Sequence, residues 1–522
     1  MTRRLPVASL VSARPIWLLE INVAGRIWRW ASDPITVSHD REGKTYTYQT
    51  GIEPDFSEQF DLLSESPEIQ AIPFSLFWPE SACNLLSQGL DFSAGTGELS
   101  LIFAGEDYET RRVLAKGGID APEIGYDDEP VSFSVKDNGF QDLGSMLSST
   151  ALVSPSTWSV STTDPASQGR YYPLILGYPG KITNAELTAT TGAPAIGIVS
   201  TVMDMIVVAF GDVSADSVRL INQTDDATAT ITIVPISDDL EQTVALHPGA
   251  TTYSHGDALF TRWSFGGGVP RGTDPTTAMD GAGEILIYAL GKSTLQVDFP
   301  AFEAVSGVLD QYKISTYIDQ PVSPWEWIQG MLLPILPISI VAGPNGIRPI
   351  LWRPYATNDD IVASLVEGVT AVLLSPIRYE STDITNQMQV KYALRVDTGE
   401  YLLDVVVGPE AVSIGSSVTT NAYATASYQL YGLKQGKMET PVVYDKPTAT
   451  RIAGDRVRAS AFRRRTVSVS VGWRMGWLEL GDLVELTAPS YYLESQLCTI
   501  TGISRTTSDV VLTLLLESGP LI

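Results

Sequence analysis

The chain has 522 residues, 44% of them hydrophobic and 18% charged, with 60 acidic against 34 basic side chains and a formal net charge of −26. At about 150 residues per domain, this length predicts three or four domains with sizeable cores and excludes bulk disorder. The acidity excludes sequence-independent binding of duplex DNA over the surface at large, which needs Lys and Arg, and is equally compatible with a surface that DNA slides past.

Cys83 and Cys498 are the two cysteines. They support neither a disulfide framework nor a thiolate metal cluster, and both are expected to act as small buried hydrophobes. His39, His247 and His255 are too few and too scattered for a zinc site. No metal and no cofactor are expected.

At the start of the chain, Thr2-Arg3-Arg4 before Leu5 to Ala13 has the outline of an export signal. Pro6, Ser9 and Ser12 break its apolar run, so none is expected. The first clear element is a hairpin, Ile16 to Val23 and Arg26 to Ala31 about Ala24-Gly25. A period of two puts Trp17, Leu19, Ile21 and Val23 on one face. Trp28 and Trp30 share a face of the return strand. Asp127-Asp128-Glu129 and Asp225-Asp226 lack calcium-loop spacing and read as solvated charge.

Ser, Thr, Pro and Asp crowd residues 145–168, which read as a linker. Arg170 to Gly180, Ile196 to Phe210 and Ala229 to Val234 then predict a second β domain ending near Phe299. Gly266-Gly267-Gly268 and Gly281-Ala282-Gly283 lack a strand–turn–helix setting and read as loops. Gly291-Lys292-Ser293-Thr294 ends like a phosphate loop, but Leu286 replaces the required first glycine. A β-turn following a strand is expected there.

Ser323-Pro324-Trp325-Glu326 fits a capping box and predicts a short helix to about Leu333. Trp327 to Ala342 is interrupted by Gln329, Pro334, Pro337 and Ser339. It is too short and too broken to span a bilayer, so a soluble chain is expected. Ile338 to Val341 and Ile347 to Trp352 predict a hairpin about Gly343-Pro344-Asn345-Gly346.

From about Thr370 the pattern returns to strands, beginning with Gln387 to Val396 and Tyr401 to Val407. One helix, Pro447 to about Arg464, should present a narrow face of Ala449, Ile452, Ala453, Val457, Ser460 and Ala461. Closing strands are expected at Thr466 to Val471, Leu483 to Thr487, Thr499 to Ser504 and Val510 to Leu516. Arg451, Arg456, Arg458, Arg463, Arg464 and Arg465 cluster in this acidic chain. They read first as a solvated helix face, next as an inter-subunit contact, since arginine forks pair well with carboxylates, and last as a direct grip on DNA, which the surrounding charge opposes.

The order of motifs in the last segment resembles a known family. Asn386-Gln-Met-Gln-Val-Lys-Tyr392, Ala426-Ser-Tyr-Gln-Leu-Tyr-Gly432, the arginine-bearing helix, Thr466-Val-Ser-Val-Ser-Val471 and Trp477-Leu-Glu-Leu-Gly-Asp-Leu-Val-Glu-Leu-Thr487 follow one another. That succession resembles the tail-tip, or baseplate, hub proteins of long-tailed bacteriophages and gene transfer agents. The tryptophan-rich first hairpin and Arg170 to Gly180 are also similar to such proteins.

The resemblance implies a mainly β, multi-domain chain with two small β-barrel hub domains, at 1–150 and 371–522. It implies an additional peripheral β domain at 151–300 and a small α+β domain at 301–370. It further implies a homotrimer in the virion's tail tip, with distal tail and tail tube proteins above and tip or central fibre proteins below. DNA would pass through its lumen without specific binding. No Gly-x-Ser-x-Gly elbow and no paired-histidine zinc motif is present, so no enzyme is expected. The other readings are a hexameric distal tail ring, an adhesin that stacks sugar on Trp263, Tyr491 and Tyr492, and a tail-associated hydrolase.

Overall fold

The computed structural model describes residues 15–23, 25–54, 56–59, 71–76, 89, 92–119, 131–136, 142–149, 151–153, 164–179, 193–199, 204–210, 217–222, 224, 227–235, 242–246, 259–262, 269–271, 274–341, 343, 345–352, 360–380, 384–396, 398–409, 418–506 and 508–517. The fold is mainly β and multi-domain. The expectations placed on the first fourteen residues, the two acidic clusters, Gly266 to Gly268, Cys83, His247, His255 and Trp263 lie outside the described residues.

The first hairpin forms as its sequence dictates. β1 (Ile16–Val23) and β2 (Arg26–Ala31) pair antiparallel, with Ile21 opposite Trp28. Trp17, Leu19, Ile21 and Val23 are all buried on one face. The sheet continues with β3 (Ile35–His39), β4 (Lys44–Thr50), β5 (Ile52–Pro54), β7 (Ala71–Leu76), β8 (Thr96–Ile102), β9 (Arg112–Ile119) and β10 (Val131–Lys136). Its order is β3-β4-β2-β1-β8-β9-β10-β7-β5. β4 and β5 are one stretch of chain, yet β4 pairs with β2 and β5 pairs with β7. A single strap, 44–54, therefore joins the two ends of the sheet into a barrel. Closure satisfies backbone groups that an open edge would leave for another chain to pair.

Seven antiparallel strands between Ala193 and Arg262 form a separate sheet. The sequence predicts strands running on towards Phe299, but the last one ends at Ala278 and two helices follow. These are α1 (Ala282–Gly291) and α2 (Phe299–Leu309). Gly281 and Gly283 belong to the start of α1 rather than to a loop. A Cβ on Gly281 would lie 2.3 Å from Asp310 Oδ1, and one on Gly283 would lie 2.8 Å from the Ser306 carbonyl. The two glycines serve the close approach of the helices, a tertiary demand that looks like loop composition in sequence. Gly291 to Thr294 is correspondingly the C-terminal turn of a helix and does not follow a strand. Its Lys292 N–H donates to Ala289 O, and the Thr294 N–H and hydroxyl donate to Asp142.

The capping box behaves as predicted. α3 (Pro324–Trp327) is capped by Ser323 and passes through a wide π-type turn to Leu332, where the Leu333 N–H reaches Ile328 O. The hairpin Ile338–Val341 with Arg348–Leu351 also forms.

The last third holds β11 (Ile361–Val366), β12 (Val372–Leu373), β13 (Arg378–Tyr379), β14 (Gln387–Arg395), β15 (Glu400–Gly408), β16 (Val418–Thr420), β17 (Gln435–Glu439), β18 (Arg465–Val471), β19 (Leu483–Ala488), β20 (Leu493–Arg505) and β21 (Val510–Leu516). Among the described residues two helices rather than one interrupt these strands, α4 (Ala422–Tyr431) and α5 (Lys446–Ser460). α4 is weakly amphipathic, and Ser and Thr within it blur the helical period. Of the face predicted for α5, Ala449, Ile452, Ala453, Val457 and Ala461 are buried and Ser460 is half-buried. The helix stops at Ser460 rather than near Arg464. The Ala461 carbonyl accepts the Ser427 hydroxyl at 2.5 Å, and the chain must extend by Arg465 to enter β18.

β11-β19-β20-β21-β18-β12 form one sheet. Here again one stretch of chain, 361–373, pairs with opposite ends, β11 with β19 and β12 with β18. The turn 367–371 folds the strap so that the second sheet closes as the first does. Inside it Val467, Val469 and Val471 face Val510, Leu512, Leu514 and Leu516, all fully buried. Each such side chain stabilises the fold by about 1.5–3 kcal/mol through burial. Cys498 is buried in this wall, where its Sγ meets the Gln496 carbonyl at 3.4 Å.

β14 to β17, with α4 and α5, make a four-stranded sheet covered by helices. Its core is continuous with that of α1, α2 and the 325–340 stretch, although in sequence it interrupts the second barrel. Among the described residues no helix is long and apolar enough to cross a membrane.

Candidate assembly site

The two barrels share one apolar core. Trp17, Leu19, Ile21, Leu99 and Leu101 of the first pack in the same cluster as Val467, Leu478, Leu480 and Leu512 of the second. Trp17 meets Trp473 edge to face, with ring centroids 6.2 Å apart. The chain also crosses between them in β6 (Phe56–Gln59), which follows β5 of the first barrel and pairs with Gly502 to Arg505 of β20 in the second.

The seam is built around Leu478-Glu-Leu-Gly-Asp482. Leu478 and Leu480 point into the shared core. Glu479, between them, points the other way and meets Arg112 of the first barrel and Arg348 of the 338–351 hairpin, each at 3.4 Å. Three arginines also reach main-chain carbonyls of this turn. Arg112 donates to Gly476 O at 2.7 Å, Arg348 to Leu480 O at 2.9 Å, and Arg505 to Leu478 O at 2.7 Å. Arg505 is 1% exposed, so its bond to a carbonyl replaces lost water in a place where an unpaired charge would be very costly.

Gly481 has φ near +80°, and a Cβ there would lie 2.6 Å from the Ile350 side chain. Asp482 closes the turn by accepting the Glu479 N–H at 2.8 Å. The motif therefore combines apolar contact at Leu478 and Leu480, ion pairing at Glu479, tight approach at Gly481 and turn closure at Asp482. Gly481→Ala should lower stability by about 2–3 kcal/mol, combining left-handed backbone strain with overpacking. Urea denaturation of both proteins would check this, and a loss under about 0.5 kcal/mol would mean Ile350 gives way freely.

The six arginines singled out in the sequence are not gathered into one patch. Arg451 donates to Gln311 and lies 5.6 Å from the Tyr312 ring. Arg456 donates to the Pro334 carbonyl and lies 5.3 Å from Trp352. Arg464 is buried, and its carbonyl accepts the Glu380 N–H. Arg465 donates to Glu517 O at 3.1 Å. Arg458, stacked 4.7 Å from Tyr423, and Arg463 are the two that are exposed. Sequence reasoning does not find the arginines of the seam, Arg112, Arg348 and Arg505. They are isolated in sequence, and only the fold brings them together.

A second feature is apolar and faces outward. The strap that closes the second barrel and the segment that follows it leave Val369, Val372, Leu374 and Tyr379 between 53% and 79% exposed, and Tyr492 is 95% exposed. The strap and the 489–492 turn are tied together. Glu367 accepts the Ser490 N–H at 3.0 Å, and the Tyr491 hydroxyl donates to Ser375 O at 3.3 Å. This rim is thus held in place while its apolar side chains stay in water.

The chain is similar to solved phage tail proteins. One is a tail protein from Neisseria meningitidis, 8% identical, matched over 96% of this chain and 97% of that one with a TM-score of 0.38. Another is a tail protein of a Shewanella oneidensis prophage, 9% identical, over 95% and 97% with a TM-score of 0.33. A third is a Listeria monocytogenes prophage tail protein, 8% identical, over 67% and 95% with a TM-score of 0.26. No protein-family profile matches the chain, and no curated protein matches it.

Among the described residues no group of three His, Cys, Asp or Glu is placed to hold a metal ion. A shallow cleft of about 350 Å3 lies on the outer face of the β14–β17 sheet, lined by Gln387, Gln389, Gln435 and Lys437. Its amides are engaged with neighbours, Gln389 with Asp404 at 2.7 Å and Gln435 with Gln387 at 3.2 Å.

Proposed function

We propose that this chain is a non-enzymatic structural subunit of a phage-type virion, a homotrimeric hub at the tail tip. In this reading the hub joins the tail tube and distal tail proteins above to tip or central fibre proteins below. DNA passes its lumen in transit, and the subunit is assembled in the host cytoplasm.

The observation that carries the reading is the pair of strap-closed barrels locked by the 476–482 turn, one of which presents a fixed apolar rim. Fused barrels give one chain two similar building blocks with a rigid relation between them. Three such chains present six blocks, which suits a junction between sixfold and threefold rings. An apolar patch of this kind on a solvated chain fits a protein–protein contact. The net charge of −26 suits a lumen that must release phosphates rather than hold them.

Native mass spectrometry of the purified chain tests this, with three copies expected. Six copies would favour the distal ring, and a strict monomer at every concentration would remove the hub reading.

A further inference from the structure

We propose that the outer face of α4 and the end of α5 is where a second copy of this chain docks, through an acidic surface distinct from that face. The inference rests on the self-assembly reading above and assigns it a surface. α4 carries no charged side chain, although its Leu430 is 68% exposed. Around it Tyr423, Tyr431 and Phe462 form a half-buried aromatic group, with Phe462 centred 6.3 Å from Tyr423 and 6.5 Å from Tyr431. Arg458 lies over Tyr423 at 4.7 Å, and Arg463 follows Phe462. Tyrosine and arginine around an exposed aliphatic residue is the composition of interface anchors.

The face is also stiff. Asn421 caps α4 through the Ala424 N–H, Asp445 caps α5 through the Thr448 N–H, and the Ser427 hydroxyl holds α4 to the Ala461 carbonyl. Stacking of Arg458 on Tyr423 narrows the rotamers it would otherwise lose on binding. A preorganised surface gives up little further entropy when covered.

Charge selects the occupant. From Arg456 to Arg463 the charged residues are Arg456, Arg458 and Arg463, with no acid, in a chain whose net charge is −26. A sister copy carries 60 acidic against 34 basic side chains, so this local excess of arginine is complementary to its net charge. Arg458 and Arg463 would face their own counterparts if two copies met here across a twofold axis, and like charges would oppose the contact. The contact is therefore head to tail, and head-to-tail contacts that close make rings rather than pairs.

The test uses the full-length chain and two variants, Leu430→Asp and Arg458→Glu, with native mass and sedimentation as readouts. Each is expected to weaken self-association by about tenfold or more while leaving circular dichroism and the unfolding midpoint unchanged. Raised salt should weaken the wild-type assembly in the same direction. A wild-type oligomer that persists undiminished in both variants overturns this inference and leaves the hub reading standing. A monomeric wild type overturns the hub reading itself, and this surface with it. A wild type that stops at two copies overturns the head-to-tail argument.

Discussion

Trp17→Ala should lower stability by about 3–5 kcal/mol, the range for removing a large aromatic side chain from a packed core. Trp17 is fully buried, lies second in the first strand and meets Trp473 across the seam. The cavity would open between two barrels that are both closed on themselves, so neither can easily collapse into it. Uncoupling is expected along with destabilisation, seen as a broader urea transition or two resolved ones. Tyr492→Ala makes a useful contrast, since its side chain is in solvent and the expected change is within about 0.5 kcal/mol. Similar losses for both variants would refute the claim that the seam, rather than the rim, holds the monomer together.

The second large effect is expected at Glu20. Its carboxylate lies on the side of β1 away from the shared core and accepts the Tyr48 hydroxyl, the Tyr108 hydroxyl at 3.1 Å and Arg29 Nε at 3.0 Å. Glu20→Ala leaves a guanidinium and two phenols without that acceptor, one of them on the fully buried Tyr48. A loss of about 3 kcal/mol is expected, at the low end for breaking a buried pair because Arg29 is 21% exposed.

The same cluster sets an alkaline limit. Burial first, and then the bond to Glu20, pushes Tyr48 upward; burial and the Glu20 charge do the same to Tyr108. The folded state therefore holds these protons more tightly than the unfolded chain. Their stabilising contribution is complete below the ordinary tyrosine value of about 10 and is lost as pH rises beyond it. Unfolding midpoints at about pH 8 and about pH 11 should differ accordingly in the wild type. The difference should shrink without vanishing in Glu20→Gln, because burial, the larger cause, remains. An unchanged midpoint at the higher pH would contradict the burial of Tyr48.

Where local pattern and tertiary need coincide, the sequence is readable. The first hairpin, the 338–351 hairpin, the capped turn at Ser323 and the apolar face of α5 all repeat at the period of their own element, and each forms. The misreadings share a cause. Gly281 and Gly283 look like loop residues, but they are small because Asp310 and Ser306 pack against them. α4 escapes a periodicity reading because its Ser, Thr and Tyr spacing leaves little helical pattern. The arginine run from 451 to 465 looks like one patch by proximity in sequence, yet its members sit on the helix, on the link after Ser460 and at the start of β18, and meet different neighbours.

The sequence by itself determined the β-rich class, most of the strands, the Ala24-Gly25 hairpin turn and the capped start at Ser323. These rest on periods of two, on glycine at positive φ and on side chains that cap their own backbone, all interactions within a few residues. Only the tertiary structure decided that straps 44–54 and 361–373 each close a barrel, that 387–461 joins a core other than that of its flanking strands, and that Arg112, Arg348 and Arg505 meet at one turn. Those outcomes depend on which edges and apolar faces find one another across hundreds of residues. No local period records that choice, because it is made by burial and backbone pairing acting on the whole chain at once.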